Sequence, residues 1–198
     1  MHLRPAFTET DLDRITGLIR QHNFGLLVTM DGGMDASHIP FEVVRDGDSL
    51  VLSGHLAAGN RQCRLFAGAA ALAVFGGPHA YVSPTWYLTQ PAVPTWDYAA
   101  VHVHGHLEVV EEDAEMRGMM RGLSAHDPGF EMERLPAGYM AGMMKGIRAF
   151  RLRSERIEAQ WKMSQNRSIA DRQGVIDALR AQGSHDVADL VAQTLPAG

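Results

Sequence analysis

The chain has 198 residues, of which 45% are hydrophobic and 21% are charged, and this balance indicates a globular protein with one substantial core and no apolar run long enough to span a membrane. The net charge of −5 and the lack of any Lys/Arg run disfavour direct DNA contact, because such contact depends on neutralising phosphates. The single cysteine, Cys63, excludes an intramolecular disulfide, and together with an N-terminal segment that lacks a signal-peptide pattern it predicts a cytoplasmic protein.

The first third of the chain is predicted to begin with a helix and to continue as strands. Leu12, Ile15, Leu18 and Ile19 have helical spacing and predict a helix that ends near residue 22. The next segments alternate in hydrophobicity and are separated by Asp/Gly turns, which is typical of β-hairpins. The predicted elements are strands over 24–30, 36–44 and 49–55, a short helix over 56–68 and a buried strand over 70–76.

The remainder mixes long strands with amphipathic helices. The predicted elements are a strand over 98–110, helices over 112–126 and 136–146, a strand pair or one bent strand over 147–163, and helices over 168–182 and 184–194. About six strands with helices at the edges predict a mainly β protein with helices (α+β), barrel-like in architecture. We expect one domain over residues 1–198 with a C-terminal helical extension over about 168–195.

Residues 75–106 concentrate aromatic side chains, prolines and histidines. This window holds two of the three tryptophans, three of the four tyrosines, four of the nine prolines and four of the ten histidines. Proline cannot donate to a sheet ladder, so much of the window is predicted to be ordered loop. Flat side chains on a stiff loop suit a planar ligand with polar edges. The alternative is a loop that only packs on its own barrel or fills a dimer seam.

Residues 53–62 form a candidate anion site. A strand end runs through small residues into a predicted helix start, where unpaired N–H groups favour an anion. Ser53, His55, Asn60, Arg61 and Gln62 supply polar side chains beside those N–H groups. The spacing of a P-loop is absent, and a simple helix start with a solvated Arg61 is the alternative.

Three histidines alternate along one predicted strand. His102, His104 and His106 would share one strand face, with valines on the other. A His-x-His pair can ligate zinc, but a zinc site needs a third or fourth ligand, and the sequence offers no further metal motif. We therefore predict no metal and expect the imidazoles to form hydrogen bonds with a ligand or with the aromatic window.

Two further segments carry unusual polarity. Residues 161–168 read Trp-Lys-Met-Ser-Gln-Asn-Arg-Ser, and capping of the next helix by Ser168 explains only one of those polar residues. The others could close over a polar ligand edge. His38 lies beside Pro40, which predicts a strand at a sheet edge or bulge.

In this order, these segments resemble the PaiB family of FMN-binding negative transcriptional regulators. The resemblance rests on His-x-Pro-Phe (38–41), Ser-Gly-His-Leu-Ala with Asn60 and Gln62 (53–62), Gly-Pro-x-Ala-Tyr-Val-Ser-Pro-x-Trp-Tyr (77–87), Val-Pro-Thr-Trp-Asp-Tyr (93–98), Val-His-Val-His-Gly (101–105) and Lys-x-Ser-Gln-Asn-Arg (162–167) with Asp171 and Arg172. Ala58 stands where family members often have Arg, and His106 falls outside the pattern.

The resemblance implies a split β-barrel of the pyridoxamine-phosphate-oxidase-like type, usually a homodimer, that binds FMN non-covalently. It implies a role as a flavin-dependent redox protein or a ligand-sensing transcriptional regulator, and it leaves open whether the protein is an enzyme. Haem binding or haem degradation is the alternative, with a histidine as axial ligand. No catalytic acid or base is identified. The cofactor-binding residues so predicted are His38, Ser53, His55, Asn60, Arg61, Gln62, Ser83, Trp86, Tyr87, Trp96, Tyr98, His102, His104, Lys162, Gln165, Asn166 and Arg167.

Overall fold

A computed structural model describes residues 1–30, 33–65, 68–124, 127 and 129–196. Seven strands form one sheet in the order β2-β1-β5-β6-β7-β4-β3. The strands are β1 (Phe24–Met30), β2 (Met34–Pro40), β3 (Glu42–Asp46), β4 (Ser49–Ala57), β5 (Ala70–Val82), β6 (Thr95–Val110) and β7 (Ile147–Lys162). Parts of the predicted turns and helix ends at 31–32, 66–67, 125–126 and 128 lie outside the described residues.

Neighbouring strands pair antiparallel wherever their register is defined. β1 pairs with β2 from Phe24 opposite Pro40 to Met30 opposite Met34. β4 pairs with β3 on one side and with β7 on the other. The predicted placement of Pro40 is confirmed, because β2 is an edge strand and a proline there removes no hydrogen bond from the middle of the sheet.

Within the described part of the chain, five α-helices accompany the sheet, at the predicted places. They are α1 (Leu12–Gln21), α2 (Asp113–Ser124), α3 (Ala137–Lys145), α4 (Ile169–Ala181) and α5 (His185–Ala192). Gly183 separates α4 from α5 with a φ of 80°, a left-handed conformation that glycine adopts at low cost after a helix end. Among the described residues, no helix is long and apolar enough to cross a membrane.

The prediction that much of 75–106 is loop is wrong. β5 continues to Val82 and β6 begins at Thr95, so the loop is confined to residues 83–94. Pro78 lies inside β5 because the register of β5 with β1 covers only Ala71–Val74. A proline beyond that stretch costs the β1–β5 ladder no hydrogen bond. Pro78, which has no backbone N–H to donate, therefore does not end β5.

Two other segments also differ from the prediction, and a third is one of the two predicted alternatives. The predicted helix over 56–68 is wrong, since β4 runs on to Ala57 and only a 3-10 helix, Arg61–Leu65, follows. The predicted strand over 36–44 is two strands, β2 and β3, interrupted at Phe41. The polar stretch within 147–163 does not divide that segment, because β7 is a single strand with antiparallel pairing to β4 over Ile147–Arg153.

The described chain falls into two compact units, and each is described by itself. The first unit comprises Met1–Asp11, Gly76–Val101 and Glu158–Gly198, and the second comprises Leu12–Phe75 and His102–Ile157. The expectation of a single domain stays a prediction. The predicted C-terminal helices exist and belong to the first unit.

The core of the second unit contains three fully buried phenylalanines. The Phe41 ring meets Phe75 edge-on at 5.2 Å between centroids and meets Phe150 at 6.1 Å. Aromatic pairs prefer this geometry because the positive ring edge faces the negative ring face. Gly54 is required beside them, since a Cβ at this position would lie 2.9 Å from Cζ of Phe150. The motif glycine at 54 therefore has a packing role.

The first unit packs α4 against α5 and holds the N-terminal segment against the end of β7. Val175, Ile176 and Leu179 of α4 are buried, as are Val187 and Val191 of α5. Glu9 donates its backbone N–H to the carbonyl of Ala159 at 3.0 Å, and Thr8 forms a β-bridge with Gln160. The N-terminal segment thus extends the pairing of β7.

Gly105 provides the sharpest test of close backbone packing. A Cβ at Gly105 would overlap the carbonyl oxygen of Arg153, and backbone cannot move aside as a flexible side chain can. We expect Gly105→Ala to lower the free energy of unfolding by about 1–3 kcal/mol, the usual cost of overpacking. The control is Gly76→Ala in β5, where nothing lies within 4 Å of the added atom. Urea unfolding measures both variants, and equal stabilities would contradict the assignment.

Candidate functional site

Three aromatic rings in the first unit form a partly exposed group, here called the aromatic surface: His79, Tyr81 and Trp96. The Trp96 ring lies 6.1 Å from Tyr81 in an edge-on arrangement and 6.1 Å from His79. Trp96 is 54% exposed and Tyr81 is 47% exposed. Large aromatic side chains contribute most to stability when they are buried, so clustered exposed rings on a strand pair mark a binding surface more often than a core.

A buried polar network lies next to Trp96 in sequence. The Asp97 side chain is 1% exposed, and its Oδ2 accepts a hydrogen bond of 2.7 Å from Oγ of Ser164. Nζ of Lys162 lies 3.6 Å from Oδ1 of Asp97, and it donates to Oγ1 of Thr95 at 2.5 Å and to the carbonyl oxygen of Trp96. The ammonium group therefore joins the start of β6 to the end of β7 and fixes the backbone that carries the Trp96 ring.

Burial dominates the electrostatics of this network. It raises the pKa of the Asp97 carboxyl, although the Ser164 hydrogen bonds and the Lys162 charge oppose the shift. It also lowers the pKa of the Lys162 ammonium, against the attraction of Asp97. The Asp97 charge is stabilised first by the Ser164 hydrogen bond and then by Lys162, whereas the Lys162 charge is stabilised mainly by Asp97. Loss of Asp97 would leave the partly buried ammonium without its counter-charge.

The turn after β7 places the Ser164 hydroxyl against Asp97. Ser164 has a φ of 56°, a left-handed conformation that is costly for a residue with a Cβ. Gln165 holds the turn by accepting from N–H of Met163 at 2.7 Å and donating to the carbonyl of Trp161 at 2.5 Å. The N–H of Arg167 donates to the Ser164 carbonyl at 2.9 Å. Residues 163–167 therefore form a tight, self-bonded turn.

The other aromatic residues of the first unit are more buried than the aromatic surface. Tyr87 is 4% exposed, and the Arg167 guanidinium lies over its ring, 4.3 Å from the centroid. The Tyr98 hydroxyl accepts a hydrogen bond of 2.7 Å from Nε2 of Gln160. Ser83 begins the 3-10 helix Pro84–Trp86 by accepting from N–H of Thr85. These side chains are bonded within the protein and are less exposed to a ligand than the rings of the aromatic surface.

Helix α4 supports the loop that precedes the aromatic surface. A Cβ at Gly174 would overlap the carbonyl oxygen of Trp86, so only glycine allows the helix to approach this closely. Oδ1 of Asp171 accepts a hydrogen bond of 2.9 Å from N–H of Thr89. The predicted helix start is confirmed, because Oγ of Ser168 accepts from N–H of Asp171 at 3.1 Å.

In the second unit, the predicted anion segment is largely bonded to itself. The N–H groups of Asn60, Gln62 and Cys63 find acceptors between Ala57 and Asn60. Nε2 of Gln62, a residue that is 1% exposed, donates to Thr29 and to the carbonyls of Leu27 and Asp35. Gln62 therefore holds strands together. The expected row of unpaired N–H groups is not present at these three residues.

Two other side chains of that segment have charged or polar partners. Arg61 forms an ion pair with Asp35, yet 74% of its side chain stays exposed. Nδ2 of Asn60 donates to Oγ of Ser37 at 3.0 Å. Because a guanidinium has five donors, Arg61 keeps capacity for an anion while it holds Asp35. Arg61 is thus the member of this segment best suited to meet a phosphate.

The histidine alternation of the second unit is confirmed. Val101, Val103 and Leu107 are buried, while His102 and His104 are half-buried with ring centroids 6.4 Å apart. Nδ1 of His104 lies 3.0 Å from an Arg156 nitrogen. His106 lies 2.7 Å from a Glu155 carboxylate oxygen. The imidazoles of His104 and His106 thus lie within hydrogen-bond distance of side chains of β7, and their predicted hydrogen bonds with a ligand or with the aromatic window stay a prediction.

The predicted cofactor-binding residues divide between the two units. His38 is exposed at the sheet edge and stacks on Phe24 with 6.0 Å between ring centroids. The first unit contains Ser83, Trp86, Tyr87, Trp96, Tyr98, Lys162, Gln165, Asn166 and Arg167. The second contains His38, Ser53, His55, Asn60, Arg61, Gln62, His102 and His104.

Three residues that shape the first-unit site were not among the predicted candidates, namely Thr95, Asp97 and Gln160, whereas Ser164 was predicted only as part of the polar stretch 161–168. Asp97 lies between two aromatic residues in a strand with apolar alternation, and a carboxylate at an inward position is a signal for a buried ion pair. This position of Asp97 in the strand pattern is the sequence signal for the network. The partner Ser164 is 67 positions away, and no local pattern links the two residues.

Comparison with known families gives a match over most of the chain. Residues 1–156 match a family model described as "Putative FMN-binding domain". The Bacillus subtilis protein named "Protease synthase and sporulation protein PAI 2" is 34% identical over 186 residues, which cover 91% of this chain and 89% of the relative. The predicted resemblance to PaiB-type proteins is therefore confirmed.

Solved structures with the same fold include flavin- and haem-binding proteins. The FAD and haem binding protein from Mycobacterium smegmatis matches with a TM-score of 0.61 and 21% identity, covering 78% of this chain and 73% of that one. The flavocytochrome Anf3 from Azotobacter vinelandii matches with a TM-score of 0.62 and 13% identity, covering 81% and 72%. The predicted fold class, a split β-barrel of the pyridoxamine-phosphate-oxidase-like type, is confirmed.

The raised pKa of Asp97 predicts a specific dependence of stability on pH. The folded chain keeps the Asp97 proton to higher pH than the unfolded chain, whose carboxyl titrates near 3.8. As pH rises above that value, the unfolded state loses its proton first, so folding becomes less favourable. We expect the unfolding free energy of the wild type, relative to Asp97→Asn, to fall as pH rises from 4 towards neutrality.

Urea unfolding of both proteins across that range measures the difference, and other titrating groups cancel in the comparison. A wild-type advantage that grows with pH would contradict the assignment of Asp97.

Proposed function

This chain belongs to the FMN-binding domain family, and we propose that it uses FMN as the sensing or redox element of a transcriptional regulator, with the flavin ring on the aromatic surface. The observation that carries the proposal is Trp96, a residue half exposed yet held by the buried network of Asp97 and Lys162. An exposed tryptophan ring on a held backbone suits stacking, because its side chain has only two rotatable bonds and loses little entropy when a ligand binds.

The residues present suit the chemical parts of FMN. A tricyclic ring with apolar faces fits the Trp96 and Tyr81 side chains, which are exposed and adjacent. The phosphate needs a cation with spare donors, and Arg61 meets that need. FMN, when bound, supplies one- and two-electron chemistry, and the protein's part is to bind, orient and shield it. We therefore assign the flavin ring to Trp96 and Tyr81 of the first unit, and we treat Arg61 of the second unit as a separate candidate contact for a phosphate.

The regulatory part of the proposal rests on relatives and on charge. The Bacillus subtilis relative carries a name that refers to protease synthesis and sporulation. The net charge of −5 disfavours a stand-alone DNA-binding surface. We propose that regulation is exerted through a protein partner by a cytoplasmic homodimer. A mobility shift on genomic fragments at low salt would replace this indirect route with direct binding. Light scattering of the eluting protein would show a monomer if the homodimer is wrong.

Haem is the second candidate cofactor, and the Mycobacterium smegmatis structure is of a protein that binds FAD and haem. Half-buried imidazoles of His102 and His104 are chemically suited to iron. The absorption spectrum of protein purified without added cofactor separates the two. Flavin bands support the proposal, whereas a Soret band without flavin bands replaces it by haem binding.

Trp96→Ala tests the ring assignment. Loss of one stacked ring should weaken FMN binding by about tenfold or more, since stacking on an aromatic side chain is worth about 1–3 kcal/mol. The unfolding free energy should change little, because Trp96 is half exposed. Quenching of flavin fluorescence measures affinity, and Tyr139→Ala, an exposed aromatic of α3, is the control. If stability and affinity fall together, the aromatic surface has only a packing role.

Arg61→Gln tests the phosphate assignment by comparing FMN with riboflavin, which lacks the phosphate. Charge-assisted hydrogen bonds contribute about 1.5–3 kcal/mol, so we expect roughly tenfold weaker FMN binding or more and unchanged riboflavin binding. Arg64→Gln, in the same 3-10 helix, is the matched control and should leave both affinities unchanged. An equal loss for both ligands would remove Arg61 from the phosphate site.

A further inference from the structure

A cavity of about 330 Å³ lies within the second unit, away from the residues assigned to the flavin above. Helices α2 and α3, the 3-10 helix Met132–Arg134 and His55 of β4 contribute to its lining. This volume lies at the lower end of the range of small-molecule sites. The cavity is therefore large enough for a single-ring molecule.

Thioethers and aromatic rings dominate the lining. Met132, Met140 and Met144 are buried and belong to one apolar cluster. Phe130 and Tyr139 also line the cavity and are 43% and 57% exposed, so solvent reaches part of the lining. Methionine side chains adapt their shape and make favourable sulfur–aromatic contacts. This lining favours a flat, apolar ligand and disfavours a charged one.

Three residues of this mainly apolar lining carry polar side-chain groups, namely His55, Ser124 and Tyr139, and the Ser124 hydroxyl already donates to the carbonyl of Met120. Nδ1 of His55 is buried and has no hydrogen-bond partner among the described residues. Burial lowers the pKa of the imidazole, so the ring is neutral near pH 7. A buried polar atom without a partner is costly, and a ligand that satisfies it gains affinity. A hydroxyl group can donate and accept hydrogen bonds, so it can bond to the imidazole in either neutral tautomer.

We infer that this cavity binds an uncharged single-ring aromatic molecule with one hydroxyl group, the ring packed among the methionines and the hydroxyl bonded to the imidazole of His55. The inference does not depend on the proposed flavin site, because none of the cavity's residues is used there. It supplies the proposed regulator with a ligand class to sense. It also gives His55 a role other than the contact to FMN that the family resemblance implied.

The test uses FMN-loaded, full-length protein with p-cresol and toluene as probes, since the two share a ring and a methyl group and differ in the hydroxyl. Methyl signals of the methionines in carbon–proton spectra report where each probe binds. We expect the signals of Met132, Met140 and Met144 to shift and those of Met30 and Met34 to stay, because the latter are exposed on β1 and β2. We expect p-cresol to bind about fivefold more tightly than toluene, the effect of one net hydrogen bond.

Two variants at His55 separate the hydrogen bond from the cavity. His55→Leu should abolish the preference for p-cresol and keep binding of both probes. His55→Gln should restore part of the preference, because its amide can donate and accept, and it provides a folded variant if the leucine chain does not fold.

Several results would overturn the inference. No methionine shift with either probe at millimolar concentration would mean that the cavity binds no such ligand. Equal affinity for p-cresol and toluene, or a preference that survives in His55→Leu, would remove His55 from the site. Competition between p-cresol and FMN, or lower FMN affinity in His55→Leu, would return His55 to the flavin. Failure of the Trp96 experiment alone would leave this cavity unaffected, so the two proposals fail separately.

Discussion

The ion pair of Lys162 and Asp97 is the interaction on which the first-unit site depends. An ammonium and a carboxylate taken from water lose hydration, and they stay in the interior only while they hold each other and their hydrogen-bond partners. Here those partners are Thr95, Ser164 and the carbonyl of Trp96. A polar network of this kind contributes little net stability, but it fixes one arrangement of the backbone. The backbone that carries the exposed Trp96 ring is therefore held in one position.

The local features of this fold could be predicted from the sequence, and the non-local ones could not. The helices α1, α4 and α5 follow from apolar spacing and cap residues, and the alternation around His102 follows from the strand period. The extent of β5 and β6 was misjudged because the effect of a proline depends on which neighbouring strand pairs at that residue. Asp97 was overlooked because its partners lie more than 60 positions further along the chain.

The motif residues that carry the family resemblance serve different physical purposes. Gly54 and Gly105 allow close approach of a ring and of a backbone carbonyl. Gln62 ties strands together from the interior, and Arg61 remains largely exposed. A motif that looks like one ligand-binding segment is therefore partly a folding signal. Only its exposed or unsatisfied groups, such as the Arg61 guanidinium and Nδ1 of His55, have capacity left for a ligand.

The contact between Gly174 and the Trp86 carbonyl bears on how the chain can be divided. The family match ends at residue 156, before Lys162, Ser164 and α4. Yet α4 supports the loop before β6, and Lys162 fixes the start of that strand. A chain that ended at residue 156 would lack Lys162 and α4, which hold the start of β6 and the loop before it. The end of the matched family model is thus not a boundary of structural autonomy, because the residues that follow it hold the start of β6 and the loop before it.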